Sequence, residues 1–190
     1  MRIFVAIPLT EDIRTRLMME VERAKSVLSA GVRWVPYENI HLTLIFLGEQ
    51  PVSKIPALKA VIHRAALSQR PFDLSIREIG SFPDLRRPRV FWIGVEETTG
   101  RLNSLQRALE EGFSALGIQP EGRPFHPHLT IARVKREVTK REQEQMRALP
   151  AAMGRVDLGS LHAHEIVLYR SELRPQGAVY NRIQSFPLVG

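Results

Sequence analysis

The chain contains no cysteine, so it has neither a disulfide framework nor a thiolate metal site, and a reducing cytoplasmic location is expected. It has no apolar run near the roughly 20 residues a membrane span requires. The opening Met1–Pro8 is too short for the apolar region of a signal peptide, and Glu11 and Asp12 follow it closely. Lysine is scarce: of 27 basic residues five are lysine and 22 are arginine. No Gly-rich phosphate loop and no Lys-x-Asp-Gly occurs, which argues against nucleotide-dependent transfer chemistry built on those motifs. No low-complexity linker divides the chain.

What is present is ordinary in bulk. At 190 residues, 44% hydrophobic and 25% charged, the chain is sized for one core or for two small lobes sharing one. The net charge of +7 is carried mainly by arginine, whose planar fork suits bidentate phosphate recognition. That balance points to an anionic partner, although a GC-rich genome would produce the same arginine excess.

The most informative pattern is a repeat. His41-Leu42-Thr43-Leu44 returns 87 residues later as His128-Leu129-Thr130-Ile131, each copy in an apolar stretch that reads as a buried strand. Residues i and i+2 of a strand share a face, so each histidine points with its threonine while the apolar pair points the other way. Two histidines, each with a hydroxyl beside it, suit a reaction that moves two protons around an oxyanion. Phosphodiester chemistry needs such a pair: a base for the nucleophile and an acid for the departing oxygen. An unperturbed pKa near 6.5 lets one imidazole be neutral while its partner is protonated. Thr43 and Thr130 would donate to the non-bridging oxygens, and the scheme requires no metal. A single His-x-Thr is more often a half-buried structural histidine; the pair is what gives the pattern weight.

Around the repeat, the periodicity predicts strands at residues 2–7, 32–35, 40–47, 72–79, 89–95, 156–161, 165–170 and 178–184. It predicts a helix from Thr10 with Ile13, Leu17, Val21, Ala24 and Leu28 inward and Gly31 as its stop. A second follows Ser53, with Leu58, Val61, Ile62, Ala65 and Ala66 inward. A third runs over 99–116 with Leu102, Leu105, Leu109 and Phe113 on one stripe, and a fourth over 139–149 closed by Pro150. Strands and helices do not strictly alternate, so the expected class is α+β with mostly antiparallel sheets. Residues 1–190 are expected to form a single two-lobed domain, pseudo-twofold symmetric, with the helices outside and a central cleft.

Other candidates carry less. His126 with His128, and His162 with His164, alternate in a way that zinc could use. No Asp or Glu lies close in sequence to the first pair, although Glu165 adjoins His164, and no metal is expected. His63 reads as a solvated helix residue. Arg86, Arg87 and Arg89 form a basic loop stiffened by Pro83 and Pro88, read as a solvated turn or as a guide for RNA. Trp34, Tyr37, Phe82, Trp92 and Phe125 are candidates to stack on a base.

At these residues the chain resembles the bacterial and archaeal RNA 2′,3′-cyclic phosphodiesterases, also called 2′-5′ RNA ligases, a family of two-histidine phosphoesterases. Arg2–Pro8 resembles the family's opening strand, and Ile40–Gly48 and Pro127–Arg133 resemble its two signature segments. The tail Leu168–Leu173 with Gly177–Tyr180 is similar as well. The resemblance implies two lobes around a water-filled cleft, with one histidine on a central strand of each. It implies hydrolysis of a 2′,3′-cyclic phosphate to a 2′-phosphate, with His41 as proton donor and His128 as the acceptor that activates water. It also implies 2′-5′ joining of a 5′-hydroxyl without a nucleotide cofactor. Spacing alone does not assign acid and base. The resemblance further carries Arg133 as a phosphate contact, but it lies five residues after His128 and would face away on a regular strand. A bulge, or an early strand end, is needed to bring it into the cleft. The first copy has Phe46 at that position. The expected partner is RNA with cyclic ends, such as tRNA halves, and the expected state is a monomer. Two other readings compete: an RNA-binding module with little turnover, and a phosphodiesterase for small cyclic nucleotides.

Overall fold

Strand β1 (Arg2–Ile7) is apolar on both faces because both are covered. Ile3, Val5 and Ile7 enter the main core, while Phe4 and Ala6 join a smaller cluster with Val167 and Tyr169. In the computed structural model, which describes residues 1–119, 122, 124–174 and 177–190, β1 lies inside a four-stranded sheet. The order there is β3 (Leu42–Glu49), β1, β8 (Glu165–Arg174), β9 (Gly177–Pro187). A five-stranded sheet runs β2 (Val32–Trp34), β6 (His128–Val134), β5 (Val90–Glu96), β4 (Phe72–Phe82), β7 (Asp157–Ala163). Every pairing is antiparallel, as the α+β reading expects. Pro120, Glu121 and Arg123, within the loop expected after Gly117, and Pro175 and Gln176 lie outside the described residues.

Helices α1 (Glu11–Val27) and α4 (Lys140–Met153) pack on each other and on the five-stranded sheet. Helices α2 (Ile55–Leu67) and α3 (Arg101–Ser114) pair likewise on the four-stranded sheet. The expected inward residues of the first three helices are buried. Each sheet therefore carries one helix pair and one His-x-Thr segment. A single apolar cluster runs through both sheets and all four helices.

Several boundaries differ from the sequence reading for identifiable reasons. Helix α1 ends at Val27, before Gly31, and Leu28 turns fully into the core. Gly31 serves a different need: its φ is +81°, and a Cβ there would lie 2.6 Å from Met146 of α4. Pro150 sits inside α4, which continues to the buried Met153 and stops at Gly154 with φ +61°. The missing Pro150 N–H removes one intrahelical bond, and burial of the last turn outweighs it. β3 is an edge strand of its sheet, whereas the resemblance implied a central one, and His41 immediately precedes it. β6 lies between β2 and β5.

The register carries the functional consequence. Along β6, Leu129 and Ile131 are buried and His128 and Thr130 are partly exposed. A one-residue slip would exchange these faces. It would expose two side chains whose burial stabilises by about 1.5–3 kcal/mol each. Against β5, Thr130 pairs with Trp92 and Ala132 with Phe91, so Ile131 is an extra residue. Against β1, Thr43 pairs with Ala6 and Ile45 with Val5, so Leu44 is extra. Both motifs thus carry a β-bulge at the residue after the threonine. The bulge resets the alternation, returning Phe46 and Arg133 to the face of their histidines.

Candidate active site

His41, Thr43, His128, Thr130 and Arg133, the residues singled out from the sequence, all line one cavity of about 740 Å³ between the sheets. The bulge at Ile131 meets the condition that Arg133 required. Its charge also acts on His128, lowering that residue's pKa.

Each histidine is held by aromatic rings. His41 stacks on Phe4 at 4.7 Å between centroids and on Tyr169 at 5.9 Å, and Tyr180 meets it edge-on at 5.2 Å. Phe82 meets His128 edge-on at 4.9 Å, with Trp92 at 6.5 Å. Trp92 lies flat over Gly80, where a Cβ would collide with the indole ring.

The backbone sets the tautomer. Nδ1 of His128 is 2.6 Å from the His126 carbonyl. A carbonyl only accepts, so neutral His128 carries its proton on Nδ1 and leaves the Nε2 lone pair for substrate. His41 interacts with the backbone of Asn39, also two residues back. This repeat of a backbone partner at i−2 extends the His-x-Thr repeat into the segment before each strand.

Desolvation lowers the pKa of both imidazoles. Burial takes His41 down to about 4, against an opposing Asn39 backbone hydrogen bond and with help from the Arg14 charge. His128 is lowered by burial first, with the His126 carbonyl opposing and His126 and Arg133 adding to the fall. Without substrate, both rings are therefore neutral at pH 7. Among the described residues, neither Thr43 nor Thr130 has a side-chain hydrogen bond, so both hydroxyls are available to a ligand.

The remaining candidates sort clearly. Phe82 and Phe125 line the cavity; Trp34 packs on the core, Tyr37 is exposed elsewhere, and Trp92 backs the histidine. Arg89 reaches the cavity, while Asp84 binds the N–H groups of Arg86 and Arg87 in an exposed turn. His63 is exposed, and His162 pairs with Asp73 at 2.8 Å on the surface. Among the described residues no three metal-ligating side chains converge. Sequence reasoning missed Phe4, Tyr169 and Tyr180 around His41, and Gln106 and Glu110, which α3 adds to the cavity wall.

Residues 13–171 match the family model described as the 2′-5′ RNA ligase superfamily. The chain belongs to this superfamily. It is 36% identical to the RNA 2′,3′-cyclic phosphodiesterase of Methanothermobacter thermautotrophicus over 187 residues, 98% of each chain. It is 34% identical to that of Thermus thermophilus over 195 residues, covering 100% of this chain and 91% of the relative. A solved structure from Thermus thermophilus superposes with a TM-score of 0.81 at 32% identity, covering 99% of this chain and 98% of the other. Escherichia coli LigT in complex with 3′-AMP gives 0.79 at 29% identity, covering 100% and 98%. The superfamily fold is thus present nearly end to end, with both His-x-Thr segments inside the matched region. No described helix is long and apolar enough to cross a membrane.

Proposed function

We propose that the chain hydrolyses RNA 2′,3′-cyclic phosphate ends to 2′-phosphates by general acid–base catalysis. The observation that carries this reading is the convergence of two bulged His-x-Thr segments on one cavity, with Arg133 beside them. His128, neutral and protonated on Nδ1, takes a proton from water at Nε2. Water attacks phosphorus, the bond to the 3′ oxygen breaks, and His41 gives that oxygen a proton. Thr43, Thr130 and Arg133 hold the charge on the non-bridging oxygens. Attack by a 5′-hydroxyl in place of water would make a 2′-5′ linkage in the same cleft. The two lobes work as one unit over residues 1–190, as a cytoplasmic monomer acting on RNA ends such as tRNA halves. The relatives' names and the near-complete match support the substrate class.

The test is turnover of an oligonucleotide bearing a 2′,3′-cyclic phosphate, in excess EDTA. The reading expects undiminished hydrolysis. Loss of activity on chelation, restored by a divalent metal, would contradict the acid–base scheme.

The histidine environments also set a pH dependence. The competent free enzyme has His41 protonated and His128 neutral. With His41 near 4 and His128 below 6.5, that form peaks between the two values. The kcat/KM profile is expected to be a bell centred on the acid side of pH 6.5, falling about tenfold per unit far above it. The bound anion raises both pKa values, so the kcat profile should lie at higher pH. Steady-state profiles of both constants check this; a kcat/KM optimum above pH 7.5 would contradict it.

A further inference from the structure

Arg33 of β2 and Arg133 of β6 stand directly opposite each other in the ladder. Opposite residues of an antiparallel pair share a face, so both side chains leave the sheet on the cleft side. Arg133 lines the cavity, and Arg33 stands one strand further out, on the edge strand. Val32 and Trp34 turn into the core, so Arg33 is the side chain that three-residue β2 offers to the cleft face. What β2 contributes there is charge, with no aromatic ring for stacking.

Like charges directly across a ladder repel. Among the described residues neither arginine forms an ion pair with a carboxylate. Arg77, on the same sheet face two strands away, is paired with Glu96. Both Arg33 and Arg133 are exposed, so each fork is free to meet an anion from solvent. Two unneutralised guanidinium groups on neighbouring strands, one in the cleft and one at its rim, match two successive phosphates of a single nucleic-acid strand.

We propose that Arg33 holds the phosphodiester adjoining the reacting phosphate, so that the cleft favours an oligonucleotide end over a lone cyclic nucleotide. This rests on the reading of Arg133 as the contact to the reacting phosphate.

The experiment compares kcat/KM for a dinucleotide ending in a 2′,3′-cyclic phosphate with kcat/KM for the corresponding cyclic mononucleotide. Unaltered protein, Arg33→Gln and Arg89→Gln are measured side by side. The dinucleotide-to-mononucleotide ratio should fall about tenfold in Arg33→Gln, the scale of one lost charge-assisted hydrogen bond at an exposed site. The slope of log kcat/KM against log salt for the dinucleotide should weaken by about 0.7, one single-strand phosphate contact. Arg33→Lys should restore part of the ratio. An unchanged ratio in Arg33→Gln, or a fall in Arg89→Gln alone, overturns the proposal. Failure of the unaltered protein to turn over either substrate would instead overturn the phosphodiesterase reading on which it rests.

Discussion

His41→Ala and His128→Ala should each lower kcat on a 2′,3′-cyclic-phosphate oligonucleotide by roughly 10²–10⁴-fold, the range for a positioned general acid or base. In the proposed scheme the two rings serve opposite ends of one displacement: one activates the incoming oxygen and the other protonates the leaving one. Groups that act as a unit are strongly non-additive, so the double variant should lose far less than the product of the single losses. His41 also fills space between Phe4, Tyr169 and Tyr180, so its removal disturbs packing. Thermal unfolding of each variant separates loss of fold from loss of chemistry. A folded variant retaining full activity would contradict the mechanism. A p-nitrophenyl phosphodiester needs no acid for departure, so His41→Ala should lose much less on it than His128→Ala. The reverse order would exchange the two roles.

Arg133→Ala should lower kcat/KM by roughly 10²–10³-fold, the scale for removing one preorganised donor from an oxyanion site. Arg133→Lys should recover part of the loss, because an ammonium keeps the charge but lacks the bidentate fork. The pH profile supplies a readout that a structural role would not move. Burial is the main cause of the lowered His128 pKa, and the Arg133 charge adds to it. Removing Arg133 should therefore raise that pKa and move the upper break of the bell, where activity begins to fall, to higher pH. A large rate loss with an unmoved profile would place Arg133 away from the reacting groups.

The histidine pair was legible because alternation on a buried strand is a local property. Leu42, Leu44, Leu129 and Ile131 are buried while the histidines and threonines face the cavity, as period-two spacing requires. The position of Arg133 was not legible. It depends on an extra residue at Ile131, and that bulge exists only relative to Phe91 and Trp92 of a strand some 40 residues away in the chain. The aromatic lining was hidden for a similar reason. β1 reads as uniformly apolar, and only its pairing reveals that Phe4 and Ala6 face the cleft beneath His41. Tyr180 reaches the site from β9 through the sheet order, which local sequence does not encode. Gly31 and Pro150 misled as stop signals because the tertiary contacts of Leu28, Met146 and Met153 set where the chain turns.

The most direct measurement is the identity of the product released from an RNA with a 2′,3′-cyclic phosphate end, read by phosphorus NMR. An acid–base pair that expels the 3′ oxygen leaves a 2′-phosphate and a free 3′-hydroxyl, and that is the expected product. A 3′-phosphate would mean that the 2′ oxygen departs, contradicting the proposed arrangement of His41 and His128 around the bound end.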